Sequence, residues 1–216
     1  MKKALIFFGG WEGHQPRECA QLFRDGLAKR GFAVDLRDDL AVLSDAEALK
    51  SYSVIIPTWS MGEITKEQEA NLVAAIRSGV GLAGCHGGMA DAFRGRVEYQ
   101  WAVGGIFASH PDNFRTYQVE LKKKEDPIFA GITDFTVHTE QYYMLVDPCI
   151  EVLATTTFGE SVSAPWTKGV VMPVVWKKRF GEGRVFFCAL GHHVKDFIDV
   201  PQQLEITLRG IEWAAR

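Results

Sequence analysis

The chain has 216 residues and a formal net charge of −3, enough length to bury one good-sized core and no basic surplus for gripping nucleic acid. No apolar run approaches the roughly 20 residues that span a bilayer, and Met1-Lys2-Lys3 leads into a short strand without a signal-peptide cleavage pattern. The cysteines, Cys19, Cys85, Cys149 and Cys188, have neither zinc-ribbon spacing nor the density of a disulfide framework, which suits a reducing, cytoplasmic compartment.

In chain order, Ala4 to Phe8 is a continuous apolar run stopping at Gly9-Gly10, the pattern of a central parallel strand covered on both faces. Pro16 opens a helix that places Cys19, Leu22, Phe23, Leu27 and Ala28 on one face until Gly31 ends it. Phe32 to Leu36 reads as a second strand, Ser44 as the cap of a short helix, and Tyr52 to Trp59 as a third strand. Thr65-Lys66-Glu67-Gln68 has the form of a capping box, with its helix running to Ser78, and Val80 to Cys85 is a fourth strand. This alternation predicts a mostly parallel sheet with helices on both faces and a site at the carboxyl ends of its strands.

Beyond residue 91 the pattern changes. Asp91 to Asn113 has weak periodicity, and its aromatics offer a surface for a homodimer. Tyr117 to Leu121, Thr136-Val137, Val152 to Thr156, Pro173 to Lys177 and Arg184 to Leu190 read as strands, the last entered through the turn Phe180-Gly181-Glu182-Gly183. Gln203 to Ala215 reads as a closing helix. Partly antiparallel strands added to the same sheet are expected, within one domain over residues 1–216, since no linker or repeat divides the chain.

The sharpest local signal is Gly84-Cys85-His86-Gly87-Gly88, where a buried strand meets glycines and then helix potential. A reactive residue on such an elbow needs small neighbours two positions away on each side, because strand and helix pass close beside it. Both flanks are glycine when His86 is the corner residue; Ala83 and Gly87 flank Cys85 in the other register. A plain glycine-rich turn is the alternative to either.

His14, His86, His192 and His193 each follow a predicted strand, so a parallel sheet would bring them to one crevice. His138-Thr139-Glu140-Gln141-Tyr142 adds a carboxylate among aromatics, where a raised pKa would make Glu140 a proton handler; a salt-bridged surface Glu is the alternative. His110 borders the same crevice, and Trp11, Trp59, Trp101 and Trp166 fall in or near predicted loops, where indole faces can stack on sugar rings. Gly9-Gly10 and Gly13 lack a dinucleotide or phosphate-loop fingerprint.

Taken together, the Gly84-x-His86 elbow, Gly9-Gly10 with His14, Glu140-Gln141-Tyr142, Gly183-Arg184-Val185-Phe186 leading to Leu190-Gly191-His192, and Gly210-Ile211-Glu212-Trp213-Ala214 resemble the ThuA-like (trehalose-utilisation) family over nearly the whole chain. That resemblance implies a flavodoxin-like, three-layer α/β/α fold of the class I glutamine amidotransferase type, in a bacterial protein that processes trehalose, a related disaccharide or a 3-keto derivative. It implies no glutaminase: the amidotransferase elbow carries Cys and its last strand is followed by His-Pro-Glu, whereas this chain has His86 and, two after His192, Val194. The expected catalytic set is His86, His192, Glu140, Tyr142 and His14, working by acid–base chemistry as lyase, isomerase or hydrolase, with Trp11, Trp59, Gln141, His138, His110 and His193 as substrate contacts. No cofactor is required by that scheme; a divalent metal such as zinc on His14, His86 and His192 is its variant. The competing class is a non-catalytic sugar-binding or regulatory module on a degenerate amidotransferase scaffold.

Overall fold

The structure, a computed structural model, describes residues 1–216. The first half holds β1 (Lys3–Gly10), α1 (Pro16–Lys29), β2 (Ala33–Arg37), α2 (Ala46–Lys50), β3 (Val54–Ser60), α3 (Lys66–Arg77), β4 (Gly81–Cys85) and α4 (His86–Ala90). The second holds α5 (Val97–Val103), β5 (Gly105–Ser109), β6 (Phe114–Leu121), β7 (Phe135–Glu140), β8 (Tyr143–Val146), β9 (Glu151–Thr157), β10 (Val171–Phe180), β11 (Gly183–Cys188), α6 (Val194–Asp199) and α7 (Pro201–Ala214).

Nine strands form one sheet in the order β2-β1-β3-β4-β11-β10-β9-β6-β7. The pairings from β2 to β11 are parallel, and those from β11 through β10, β9 and β6 to β7 are antiparallel. Ala4 to Phe7, Val54 to Ile56 and Val185 to Cys188 are buried without alternation, because helices cover both faces of the parallel half. A single apolar cluster of 61 buried residues runs through both halves. The sheet type and the added antiparallel strands agree with the sequence reading.

Several local expectations are corrected. Asp45, not Ser44, caps α2, accepting a hydrogen bond from the Ala48 amide. Trp59 lies in β3, as the third-strand reading has it, whereas Trp101 lies in α5, a helix whose sequence carries no capping side chain to announce it. Strand β6 begins at Phe114, three residues before the apolar alternation of Tyr117, Val119 and Leu121 becomes visible. β5 and β8 pair as a separate two-stranded ribbon inside the segment with weak periodicity. The Thr65 capping box is present as expected, with the Thr65 hydroxyl and the Gln68 side chain each bonded to the other's backbone amide.

Two features of this architecture create the site. Gly10 pairs with Ser60 and Cys85 with Cys188, so the carboxyl ends of β1, β3, β4 and β11 stop at one level and release their loops into a common space. The β6–β7 hairpin, by contrast, joins the sheet through only two rungs, Glu120–Thr155 and Leu121–Ala154. Beyond them it is free to follow the twist of the sheet and carry its open end, where Phe114 pairs with Glu140, back over those strand ends.

Candidate functional site

The elbow places His86. Strand β4 ends with Cys85 in an extended conformation, and His86 then turns left-handed at φ 49°, a strained setting for a side-chain-bearing residue. The flanking glycines are explained by what a Cβ would meet: at Gly84, Met89 at 3.1 Å and the Pro57 carbonyl oxygen at 3.2 Å; at Gly88, the Thr58 Cα at 3.1 Å. The corner residue is therefore the imidazole and not the thiol. Cys85 lines a cavity of about 20 Å³ shared with Cys19, Thr58 and Ser60, and burial pushes its thiol well above the ordinary range. A buried, protonated thiol is no nucleophile for an amide.

Three further side chains reach the same point from different elements. His14 ends the 3-10 turn Glu12–His14 after β1, and its Nδ1 is 2.5 Å from the Ser60 hydroxyl at the end of β3. His192 follows β11 through Gly191, whose φ of 94° only glycine takes without strain. One carboxylate oxygen of Asp196 accepts from the His192 amide at 3.0 Å and from the Thr139 hydroxyl at 2.8 Å, tying the His192 turn to β7. Glu140 is the last residue of β7, directly after Thr139.

The resulting cluster is tight. His86 Nε2 lies 3.1 Å from Glu140 Oε2 and 3.2 Å from His192 Nδ1, and His192 Nδ1 lies 3.1 Å from the same Oε2. With His14 included, one donor atom from each of the four residues falls within 4.8 Å of the others. All four are buried, from 2% exposed for His86 to 9% for His14.

The protons available do not match these contacts. His86 Nδ1 sits 2.9 Å from the Ala189 carbonyl oxygen, which can only accept, so Nδ1 carries the hydrogen and Nε2 of the neutral ring presents a lone pair. Three electron-rich atoms thus meet with at most one hydrogen, on His192 Nδ1, among them. Burial lowers the affinity of His86 for a second proton, only partly opposed by its contact with Glu140. His14 is depressed to about 2 by burial and by the neighbouring His86 and His192. Burial pushes the Glu140 carboxyl up, but its contacts with His192 and His86 outweigh that and hold it well below the usual carboxylate range. This reverses the expectation of a raised Glu140 pKa.

Neutral imidazoles and an ionised carboxylate are the state a transition metal requires of its ligands. A tetrahedral zinc with bonds of about 2.0–2.1 Å sets its donors about 3.3 Å apart, close to the spacing of the inner three. The Ala189 carbonyl behind His86 and the Ser60 hydroxyl behind His14 are the outer partners that orient ligating rings. His14, His86, Glu140 and His192 could therefore hold a divalent cation, with Glu140 a ligand that spacing alone did not supply.

Most of the other sequence candidates ring this cluster. Tyr142 stacks on His86 with ring centroids 4.0 Å apart, and His110 approaches the second oxygen of Glu140 at 3.5 Å. Trp11 meets His14 edge-on, His193 packs on His192, and His138 bonds the Thr116 hydroxyl and stacks beside Phe114. Two candidates point elsewhere. The indole of Trp59 lies on Gly9 and Gly62, and Gln141 is buried with its amide on the Thr156 hydroxyl at 2.8 Å. Ser60, Asp196 and Phe114 were missed. Ser60 could have been found as the strand-end residue level with Gly10; Phe114 requires the hairpin register.

The family model described as trehalose utilisation, ThuA, matches residues 3–214. Among solved structures, a ThuA-like protein from Bacteroides uniformis superposes with a TM-score of 0.79 at 21% identity, over 99% of this chain and 91% of its own. One from Parabacteroides merdae gives 0.79 at 18% identity, over 99% and 89%. A β-galactosidase from Bacillus circulans aligns with 99% of this chain but 31% of its own length, with a TM-score of 0.64 and 15% identity. At such identities the likeness is one of fold. No curated protein matches the sequence.

Proposed function

The chain belongs to the ThuA family of trehalose utilisation, and from that membership we propose that it processes a trehalose-type disaccharide or its oxidised derivative at a divalent-metal centre held by His14, His86, Glu140 and His192. The observation that carries this reading is the meeting of His86 Nε2, His192 Nδ1 and Glu140 Oε2 at 3.1–3.2 Å with too few hydrogens to bond them. A cation of the zinc type held by three of these side chains, or by all four at a coordination number above four, would supply Lewis acidity and an acidified water at neutral pH. The chain's own residues do the rest. The Ala189 carbonyl fixes the His86 tautomer, the Ser60 hydroxyl orients the His14 ring, and Tyr142 holds the His86 ring by stacking. His110, partly exposed and 3.5 Å from the second oxygen of Glu140, is the side chain placed to exchange a proton with a sugar hydroxyl.

The His110 contact also favours a second reading, acid–base chemistry without a metal, in which Glu140 and His110 move the proton directly. A degenerate binding module has no reason to keep four ligand-type side chains in register on four separate loops and strands, which weighs against it. The four cysteines are unpaired, fitting a reducing compartment, and a cytoplasmic place is part of the proposal. No helix is long and apolar enough to cross a membrane.

The test is incubation of the protein with trehalose, 3-keto-trehalose and glutamine, each with and without a chelator. The proposal expects sugar turnover that the chelator stops and zinc restores, and no ammonia from glutamine. Turnover indifferent to chelation selects the metal-free reading; sugar binding without turnover selects the module; ammonia release contradicts all three.

A further inference from the structure

Several aromatic rings of this chain lie under a cation, most of them buried or half-buried. Arg17 covers Phe8, Arg77 covers Phe180, Lys178 covers Trp101, and Lys177 and Arg184 cover Trp213. Trp11 and Phe114, 46% and 44% exposed, have no such cover, as Trp166 at 77% has none; what sets these two apart is their contact with the histidines. They are nonetheless fixed. The Trp11 indole lies against Gly13, where a Cβ would come within 2.3 Å of the ring, and its edge contact with His14 has a centroid distance of 4.7 Å. Phe114 is held by its strand position opposite Glu140. It stands perpendicular to His192 at 5.1 Å and nearly parallel to His193 and His138, at interplanar angles of 13° and 25°.

Both open rings therefore border one buried ligand, His192, which is 6.3 Å from Trp11 between centroids. Leaving two large apolar rings in water beside a polar centre is unfavourable unless something covers them. The polar groups interleaved with them are imidazoles. No lysine or arginine is bonded to any of the six histidines, and Arg115, next to Phe114, turns to Asp112 and the Glu160 carbonyl. A phosphate or carboxylate held between these rings would meet no lysine or arginine, and the only cation it could reach is the one proposed for the buried cluster.

We propose that Trp11 and Phe114 are the walls of a subsite for an uncharged pyranose unit, taking its C–H faces while His138, His193 and His110 bond its hydroxyls. This rests on the sugar-processing reading and adds to it the residues that grip the substrate. C–H stacking on a ring of this kind contributes on the order of 1 kcal/mol, or about 5-fold in affinity per ring.

The test is calorimetric and saturation-transfer NMR titration of the zinc-supplemented protein with trehalose, methyl α-glucoside and glucose 6-phosphate. Wild type is compared with Trp11→Ala, Phe114→Ala and the conservative Trp11→Phe and Phe114→Tyr. The subsite predicts that the neutral sugars bind, that each alanine variant weakens them roughly 5- to 10-fold with zinc affinity unchanged, and that the aromatic variants restore most of the loss; glucose 6-phosphate shows how much binding a phosphate gains through the metal. Neutral-sugar binding undiminished in both alanine variants overturns the subsite while leaving the sugar reading intact. No binding of any sugar by wild type overturns both.

Discussion

At His86 the backbone and the ring are specified by different neighbours: Gly84 and Gly88 make room for the left-handed corner, and the Ala189 carbonyl decides which ring nitrogen keeps its hydrogen. Ser60 orients the His14 ring through its Nδ1. Ser60→Ala should leave the fold unchanged and weaken zinc binding about 10- to 100-fold, the usual cost of losing an outer partner of a ligating ring, measured by competition with a chelating dye. The same residues set a pH dependence. His14 and His86 have folded pKa values below the ordinary 6.5, so the unfolded chain takes up their protons first and their contribution to stability is present above pH 6.5 and lost as pH falls through it. Glu140, also depressed, adds its own loss only below its ordinary 4.5. The unfolding temperature of the metal-free protein should therefore drop between pH 7.5 and 5.5, and drop less in His14→Gln. A flat profile in wild type would mean that these imidazoles are not buried as described.

Among the elements, the elbow is the one whose sequence and geometry agree most closely, and Gly87 tests it. A Cβ there would lie 2.3 Å from His14 Cε1 and 3.0 Å from the Tyr142 hydroxyl, while the backbone itself is in a conformation alanine accepts. Gly87→Ala should keep the circular dichroism spectrum but displace His14 and lower zinc affinity; unchanged affinity would remove His14 from the ligand set. Elsewhere, apolar runs such as Ala4 to Phe8 announced their strands because burial on both faces leaves an unbroken signal. The open end of β6–β7 gave none. Phe114 to Thr116 are exposed or half-exposed, so no alternation marks them, although they hold the wall of the site. The His110 loop is similarly silent: Asp112 and Asn113 are left-handed non-glycines, held by Asp112 carboxylate bonds to the Val162 and Ser163 amides some fifty residues away.

At the scale of the molecule, Glu140 lies four strands beyond β11 in the sheet, and only the bending of the β6–β7 hairpin returns it to His192. Chain order gave the histidines their common crevice, but the curl depends on side chains packed across the whole sheet and was not legible. Strand β10 joins the parallel and antiparallel halves and buries two successive lysines, Lys177 against Asp126 and Lys178 at 2.6 Å from Asp147. Removing one partner of such a pair strands a buried charge, so Asp147→Ala should destabilise the protein by about 3 kcal/mol, whereas the double change Lys178→Met with Asp147→Leu should be close to neutral. Denaturant unfolding distinguishes these outcomes; equal losses in both would assign the effect to packing rather than charge.

The most direct test of the whole account is a zinc titration of the metal-stripped protein against a competing dye, in wild type, His192→Ala and Glu140→Gln. The account predicts one equivalent bound per chain in wild type, with affinity falling at least about 100-fold in each variant while the fold is retained. Wild-type protein that takes up no zinc, or variants that bind it as tightly as wild type, would contradict the centre built from His14, His86, Glu140 and His192.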